Sequence, residues 1–396
     1  MRRIGVVLLA VACVSRPMPP QAQPTIAQDS LKSSWHVFRT KHLPAYKAKR
    51  WVLVLHRPTR SLADSLAALG VKIQGIYAPE HGLFGEKAAG VHLGDTTYRG
   101  VPVISLYGAR KAPRPEELAE ADAILFALRD VGVRHYTYLS TLAYVLKAAA
   151  QAGKPVWVLD FPNPHAHYTY GPILDSALFS FVGLYPVPLI PGLTIGEYAR
   201  LLVGEGWVPP VALEVVPWEG WRRRSALPVV APFFTEPPSP ALTSLAAIEL
   251  YPILGWYEGT RGISVGRGTP QPFQQVGLEG SPNFAPETLA LYGYTLLPTQ
   301  FEADGKLYKG WRIQKNSAGK LCPDSLFRLG FFLLRRFRQA HSPEETFYLE
   351  FFDKLAGSAR VRWLERRGLP IDSLYAAFQV PAEWLTRRQK YLLYPE

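Results

Sequence analysis

The chain has 396 residues, 48% of them hydrophobic and 12% aromatic, which is too much apolar surface for a disordered polymer and enough for two lobes. The formal net charge is +12, with basic clusters at 222–224 and 335–388, a balance that favours an anionic partner without naming one. If Cys13 leaves with a leader or carries lipid, only Cys322 remains, so no internal disulfide is available and the fold must rely on its core.

In chain order, Arg2 and Arg3 precede an apolar run over 4–14, and a polar, Pro-rich stretch over 15–28 follows, the layout of a secretory signal peptide. The run is too short to span a membrane. Residues 1–28 are therefore expected to be signal peptide and leader, and the mature chain to be secreted or periplasmic. Cleavage is expected near Ala22 or Gln23. The Ala10-Val11-Ala12-Cys13 stretch imperfectly resembles a lipoprotein signal, which would put a lipid anchor on Cys13.

From 51 to 160, short apolar runs alternate with helical stretches at the spacing of a parallel α/β sheet. The predicted strands are WVLVL from Trp51, VKIQGIY from Val71, PVISLY from Pro102, AILFAL from Ala123 and VWVLD from Val156. Predicted helices cover 61–69, 115–120 and 137–152. A helix over 196–204 and a strand from Val211 follow, and then a Pro-rich linker over 228–240. Residues 29–228 thus read as a Rossmann-like lobe of α/β class. Residues 229–396 read as a smaller α+β lobe of loops, one helix over 323–340 and a basic, aromatic tail, with a cleft between the two.

In open α/β sheets, ligands bind outside the carboxyl ends of the strands. Glu80 and His81 follow the second strand, Tyr107 the third, Arg129 and Asp130 the fourth, and Asp160 ends the fifth. Each has a bland alternative: Asp160 could cap a turn, and Arg134 could pair with Asp130. Their coincidence at one sheet edge is what points to a site.

Common motifs fail on their context. Gly262, Ser264 and Gly266 match GxSxG, but Pro270 and Pro272 forbid the helix that a nucleophile elbow needs. Gly266 and Gly268 begin a GxGxxG whose third glycine is Gln271, and Gly85 to Gly90 has P-loop spacing with Val91 in place of the lysine. These losses count against a nucleotide-dependent enzyme. No HExxH or paired CxxC occurs, and His81, His92, His135, His165 and His167 fit no familiar ligand spacing, so neither metal nor cofactor is expected. Nothing in the pattern indicates nucleic acid.

Six segments carry a specific resemblance: IYAPEHGLFGE at 76–86, ISLYG at 104–108, RDVGVRHYTYLSTLAY at 129–144, VLDFPNP at 158–164, GPILD at 171–175 and EGTRGISVGRGTPQPF at 258–273. In this order they resemble the exo-β-N-acetylmuramidase family, from about Trp51 to the carboxyl terminus. The resemblance implies removal of N-acetylmuramic acid from the non-reducing end of peptidoglycan fragments, in a cleft between a Rossmann-like and a smaller lobe.

Glycoside hydrolysis needs a protonated carboxyl beside the leaving oxygen and a second group that attacks or activates water. Glu80 is the expected acid, with a pKa that burial or a nearby negative charge would have to raise. His81 is expected to orient it or to bond a substrate hydroxyl. Asp130, Asp160 and Glu258 compete for the second role, with Tyr136 as a possible nucleophile. Arg134 or Arg267 is expected to fork the lactyl carboxylate, and Tyr107 or Tyr138 to stack on the ring. The family pattern usually carries Asp and Gln where this chain has Ala127 and Arg129. It carries Arg, His and Asn where this chain has Phe161, Pro191 and Ala241. The alternative expectation is therefore a catalytically silent muropeptide-binding protein.

Overall fold

The computed structural model describes residues 31–85, 94–224, 236–280, 284–316 and 322–396. The expected signal peptide, Cys13, His92 and most of the Pro-rich linker lie outside these residues. Among the described residues, no helix is long and apolar enough to cross a membrane.

The first sheet contains β1 (Arg50–Leu55), β2 (Lys72–Ala78), β3 (Thr96–Tyr98), β4 (Val101–Ser105), β5 (Ala123–Ala127), β6 (Val156–Leu159) and β7 (Leu213–Val216), in the order β3-β4-β2-β1-β5-β6-β7. All neighbouring pairs are parallel except β3 with β4. Without β3, the strands follow the doubly wound order, which reverses beside β1 and opens a crevice at the carboxyl ends. Every residue of β5 and β6 is buried, as is β1 beyond Arg50. Their unbroken apolar runs fit a sheet covered on both faces. The short edge strand β3 escaped the sequence reading; it joins β4 through Arg99 and Gly100, both at positive φ, the turn chemistry of a tight hairpin.

Helices Ser61–Ala68, Tyr138–Ala152 and Ile195–Gly204 lie close to their predicted positions, while the segment predicted over 115–120 is a single 3-10 turn, Pro115–Leu118. The longest of the three ends at Gly153, whose φ of 64° closes the helix in the left-handed conformation. The third is anchored at its start by Thr194 and Glu197, which bond each other's backbone in a capping box.

The carboxyl-terminal part holds a second, antiparallel sheet: β8 (Ile263–Ser264), β9 (Gln275–Glu279), β10 (Leu289–Leu291), β11 (Tyr294–Ala303) and β12 (Lys306–Lys315), ordered β10-β11-β12-β9-β8. The predicted Pro323–Ala340 helix packs on it, with the Phe337 ring 5.5 Å from Trp311 and 5.4 Å from Phe284. Four further short helices make up the tail.

One buried apolar cluster runs from Val52 on β1 through Tyr251 and Trp311 to Trp384, so the two sheets share a core. The tail also returns to the first sheet, where Tyr394 donates to Asp160 at 2.7 Å and Arg388 donates to the Gly192 carbonyl at 2.7 Å. The helix Leu245–Leu254 is held beside the loops that follow β5 and β6 at the sheet's carboxyl edge, where His165 bonds the Ile248 carbonyl at 3.0 Å and the His135 ring lies 4.8 Å from Tyr251.

Candidate active site

A cavity of about 580 Å³ opens at that edge. The first sheet supplies Glu80 and His81 from the loop after β2, Tyr107 and Lys111 after β4, and His135, Tyr136 and Thr137 after β5. The carboxyl-terminal part supplies Tyr251, Glu258, Arg267, Phe273 and Phe351. Of the residues singled out from sequence, Glu80, His81, Tyr107, Tyr136, Glu258 and Arg267 meet here.

The loop that presents Glu80 is a tight turn. Gly82 donates its N–H to the Pro79 carbonyl at 2.9 Å, and His81 and Gly82 both have φ of 73°. A histidine in that region carries strain of the kind that collects at functional sites. Phe273, also in the wall, has φ of 53°. The other non-glycine residues at positive φ, Arg99, Tyr292 and Asp304, each precede a glycine in a hairpin turn, which accounts for them. Thr137, where the chain enters the Tyr138–Ala152 helix, donates its hydroxyl to Glu80 Oε2 at 2.9 Å. That bond fixes one oxygen of the carboxylate.

Glu258 and Arg267 form an ion pair, both partly exposed, with the Arg267 guanidinium 4.8 Å over the Phe273 ring. Burial, the largest single influence, lowers the Arg267 pKa, but the charge and hydrogen bond of Glu258, with Tyr251 and Glu80 adding to them, together outweigh it and the net shift is upward. Burial pushes the Tyr136 hydroxyl well above its ordinary value, with Tyr138 adding to the effect. A phenol held protonated in this way is a hydrogen-bond donor and not a phenolate.

Asp130, Asp160, Arg134 and Tyr138 do not face this cavity. Asp130 is buried, accepts from the Gly132 N–H at 2.6 Å, and is pushed up to about 7 by desolvation. Asp160 takes the bland alternative. Its carboxylate accepts from Thr194 and Tyr394 at 2.7 Å and from the Gly196 N–H at 2.8 Å, so it ties the start of a helix to the chain's carboxyl end. Arg134 pairs with no carboxylate among the described residues; it donates to the carbonyls of Pro172 and Val187 at 3.3 Å and of Leu355 at 2.8 Å. It cannot also grip a ligand. Gly357, at φ of 94°, leaves room for its guanidinium, since a Cβ there would sit 2.4 Å from Nη2. Tyr138 donates to the Pro238 carbonyl at 3.0 Å and lies 3.1 Å from His56 Nδ1. It borders a smaller neighbouring cavity of about 220 Å³, which His81 and Ser239 share with the larger one.

Among the described residues, the histidines named from sequence hold separate places in the packing. His135 stands edge-on to Tyr251 at 4.8 Å, and His165 bonds Tyr168 at 2.8 Å and the Ile248 carbonyl at 3.0 Å. Burial lowers both to about 3, so they are neutral. Among the described residues, no three His, Cys, Asp or Glu side chains gather as a metal would require.

Of the positions where this chain departs from the expected pattern, only Ala241 lines the larger cavity. Ala127 is buried in β5, the Pro191 carbonyl accepts from Trp384, and Phe161 lies beneath the Arg129 guanidinium at 5.4 Å. Wall residues that sequence reasoning missed include Lys111, Thr137, Tyr251, Phe273 and Phe351. Thr137 had a signal, standing where a helix begins after a strand-end loop, and Phe273 ends the segment 258–273; Lys111, Tyr251 and Phe351 carried none.

Comparison with known proteins matches residues 54–246 to the N-terminal domain, and 249–394 to the C-terminal domain, of the exo-beta-N-acetylmuramidase NamZ family. The chain is 35% identical over 348 residues to the peptidoglycan beta-N-acetylmuramidase NamZ of Bacillus subtilis (strain 168), covering 82% of this chain and 80% of that one. Two crystal structures of DUF1343 family proteins from Bacteroides fragilis NCTC 9343 superpose with TM-scores of 0.75 and 0.76, at 27% and 26% identity. Each comparison covers 92% of this chain and 99% of the other. The chain therefore belongs to the exo-beta-N-acetylmuramidase NamZ family.

Proposed function

We propose that this protein is an exo-acting glycoside hydrolase that removes N-acetylmuramic acid from the non-reducing end of peptidoglycan fragments. One observation carries the reading: among the described residues, the cavity wall holds two carboxylates, Glu80 and Glu258, brought together from opposite parts of the chain between aromatic rings. That is the chemical equipment a glycosidase needs.

Glu80, with Oε2 held by Thr137, gives its proton to the glycosidic oxygen as the bond to the anomeric carbon breaks. Glu258, oriented by Arg267, faces the positive charge that develops on the sugar ring and directs the incoming group to the anomeric carbon. Tyr136 donates a hydrogen bond from the floor of the site. Phe351, 40% exposed in the wall, supplies apolar surface to a sugar face.

The layout of residues 1–28 supports export of the enzyme to the compartment that holds this polymer, by cleavage near Ala22 or Gln23 or, as the alternative, by acylation of Cys13. The mass of the mature chain recovered from cells reads this directly, since an uncleaved amino terminus would exclude both. Turnover is tested with a chromogenic β-glycoside of N-acetylmuramic acid. Wild type releases the chromophore and Glu80→Gln does not; equal rates from the two would end the assignment of Glu80.

A further inference from the structure

The sequence reading looked to Arg134 or Arg267 for the cation that holds the lactyl carboxylate. In the structure Arg134 is spent on backbone carbonyls and Arg267 is neutralised by Glu258. Arg129 lies over Phe161 and does not line the cavity. Among the described residues, the remaining cation in the wall is Lys111.

Lys111 is placed in an unusual way. Its ammonium sits 4.0 Å from the centre of the Phe181 ring and 4.6 Å from that of Tyr107, two rings that themselves line the cavity. Two aromatic faces hold the charge in position without cancelling it, unlike a carboxylate partner. Burial lowers its pKa, and the carboxylate whose charge acts against that is Glu80, across the same space. A partly dehydrated ammonium without an ion-pair partner among the described residues is an anion site waiting for its anion.

We propose that Lys111, fixed between Phe181 and Tyr107, binds the lactyl carboxylate of the terminal sugar and is the residue that selects N-acetylmuramic acid over uncharged N-acetylhexosamines. This rests on the reading of the cavity as a muramidase site. It assigns the discrimination to one point charge rather than an arginine fork.

The test uses two ligands that differ by one charge, N-acetylmuramic acid and its methyl ester, with calorimetric affinities for the wild type, Lys111→Met and Lys111→Arg. The wild type is expected to prefer the acid by roughly 10- to 100-fold, the effect of one charge-assisted hydrogen bond. Lys111→Met should lose that preference while holding the ester within about twofold, and Lys111→Arg should keep part of it. A structural role for Lys111 would weaken both ligands alike and leave the ratio standing, which overturns the inference. Turnover of the chromogenic glycoside by wild type is measured beside it. If wild type turns over the glycoside while Lys111→Met keeps the preference for acid, the muramidase reading stands and this inference fails. If wild type binds neither ligand and turns over nothing, both fail.

Discussion

Asp130→Asn distinguishes a buried carboxyl of the fold from a catalytic one. Asp130 is 3% exposed, and its Oδ2 accepts the Gly132 N–H, a bond that an amide oxygen can also accept. Desolvation raises its pKa from 3.8 to about 7. Between those values the native state holds a proton that the unfolded chain has released, so the group's contribution to stability is complete below about pH 4 and is lost as pH rises through 7. At about 1.4 kcal/mol for each pH unit, the loss reaches at most about 4 kcal/mol above pH 7. Asparagine has no proton to lose. Denaturant midpoints of wild type and Asp130→Asn, taken at pH 4.5 and 7.5, should therefore diverge in favour of asparagine at the higher pH, while kcat stays within about threefold. A stability difference that does not change with pH, together with a fall in kcat of ~10³-fold, would refute the reasoning and return Asp130 to the chemistry.

Arg134→Met should leave the carbonyls of Pro172, Val187 and Leu355 without their donor. The expected loss is roughly 3 kcal/mol or more in unfolding free energy, with the preference for acid over ester ligand unchanged. A selective loss of that preference would mean that Arg134 reaches the substrate. Thr137→Val should lower kcat roughly 10-fold through the lost bond to Glu80 with little change in KM, and Thr137→Ser should restore it. Equal damage from valine and serine would show that packing, not the hydroxyl, is what matters there.

Most of the first sheet was legible because its strands are buried on both faces and so read as unbroken apolar runs; WVLVL and AILFAL needed no partner to be recognised. The second sheet was not. Its long strands β11 and β12 alternate buried and exposed positions, carry Pro298 and several lysines, and owe their pairing to contacts with each other and with the Pro323–Ala340 helix. The same division runs through the site. Glu80 was visible as an acid after a strand, because the position alone makes it a candidate. Asp160 occupied an equivalent position, yet Tyr394, from the opposite end of the chain, commits it to structure. Lys111 was invisible, since nothing local indicates that two distant rings will flank it.

The most direct test of the central claim is mass-spectrometric detection of free N-acetylmuramic acid after incubation with two defined β-1,4-linked disaccharides. One carries N-acetylmuramic acid at the non-reducing end and the other carries N-acetylglucosamine there. Wild type is expected to release N-acetylmuramic acid from the first and leave the second intact, and Glu80→Gln to leave both intact. Release from both substrates, from neither, or at the same rate by Glu80→Gln would contradict it.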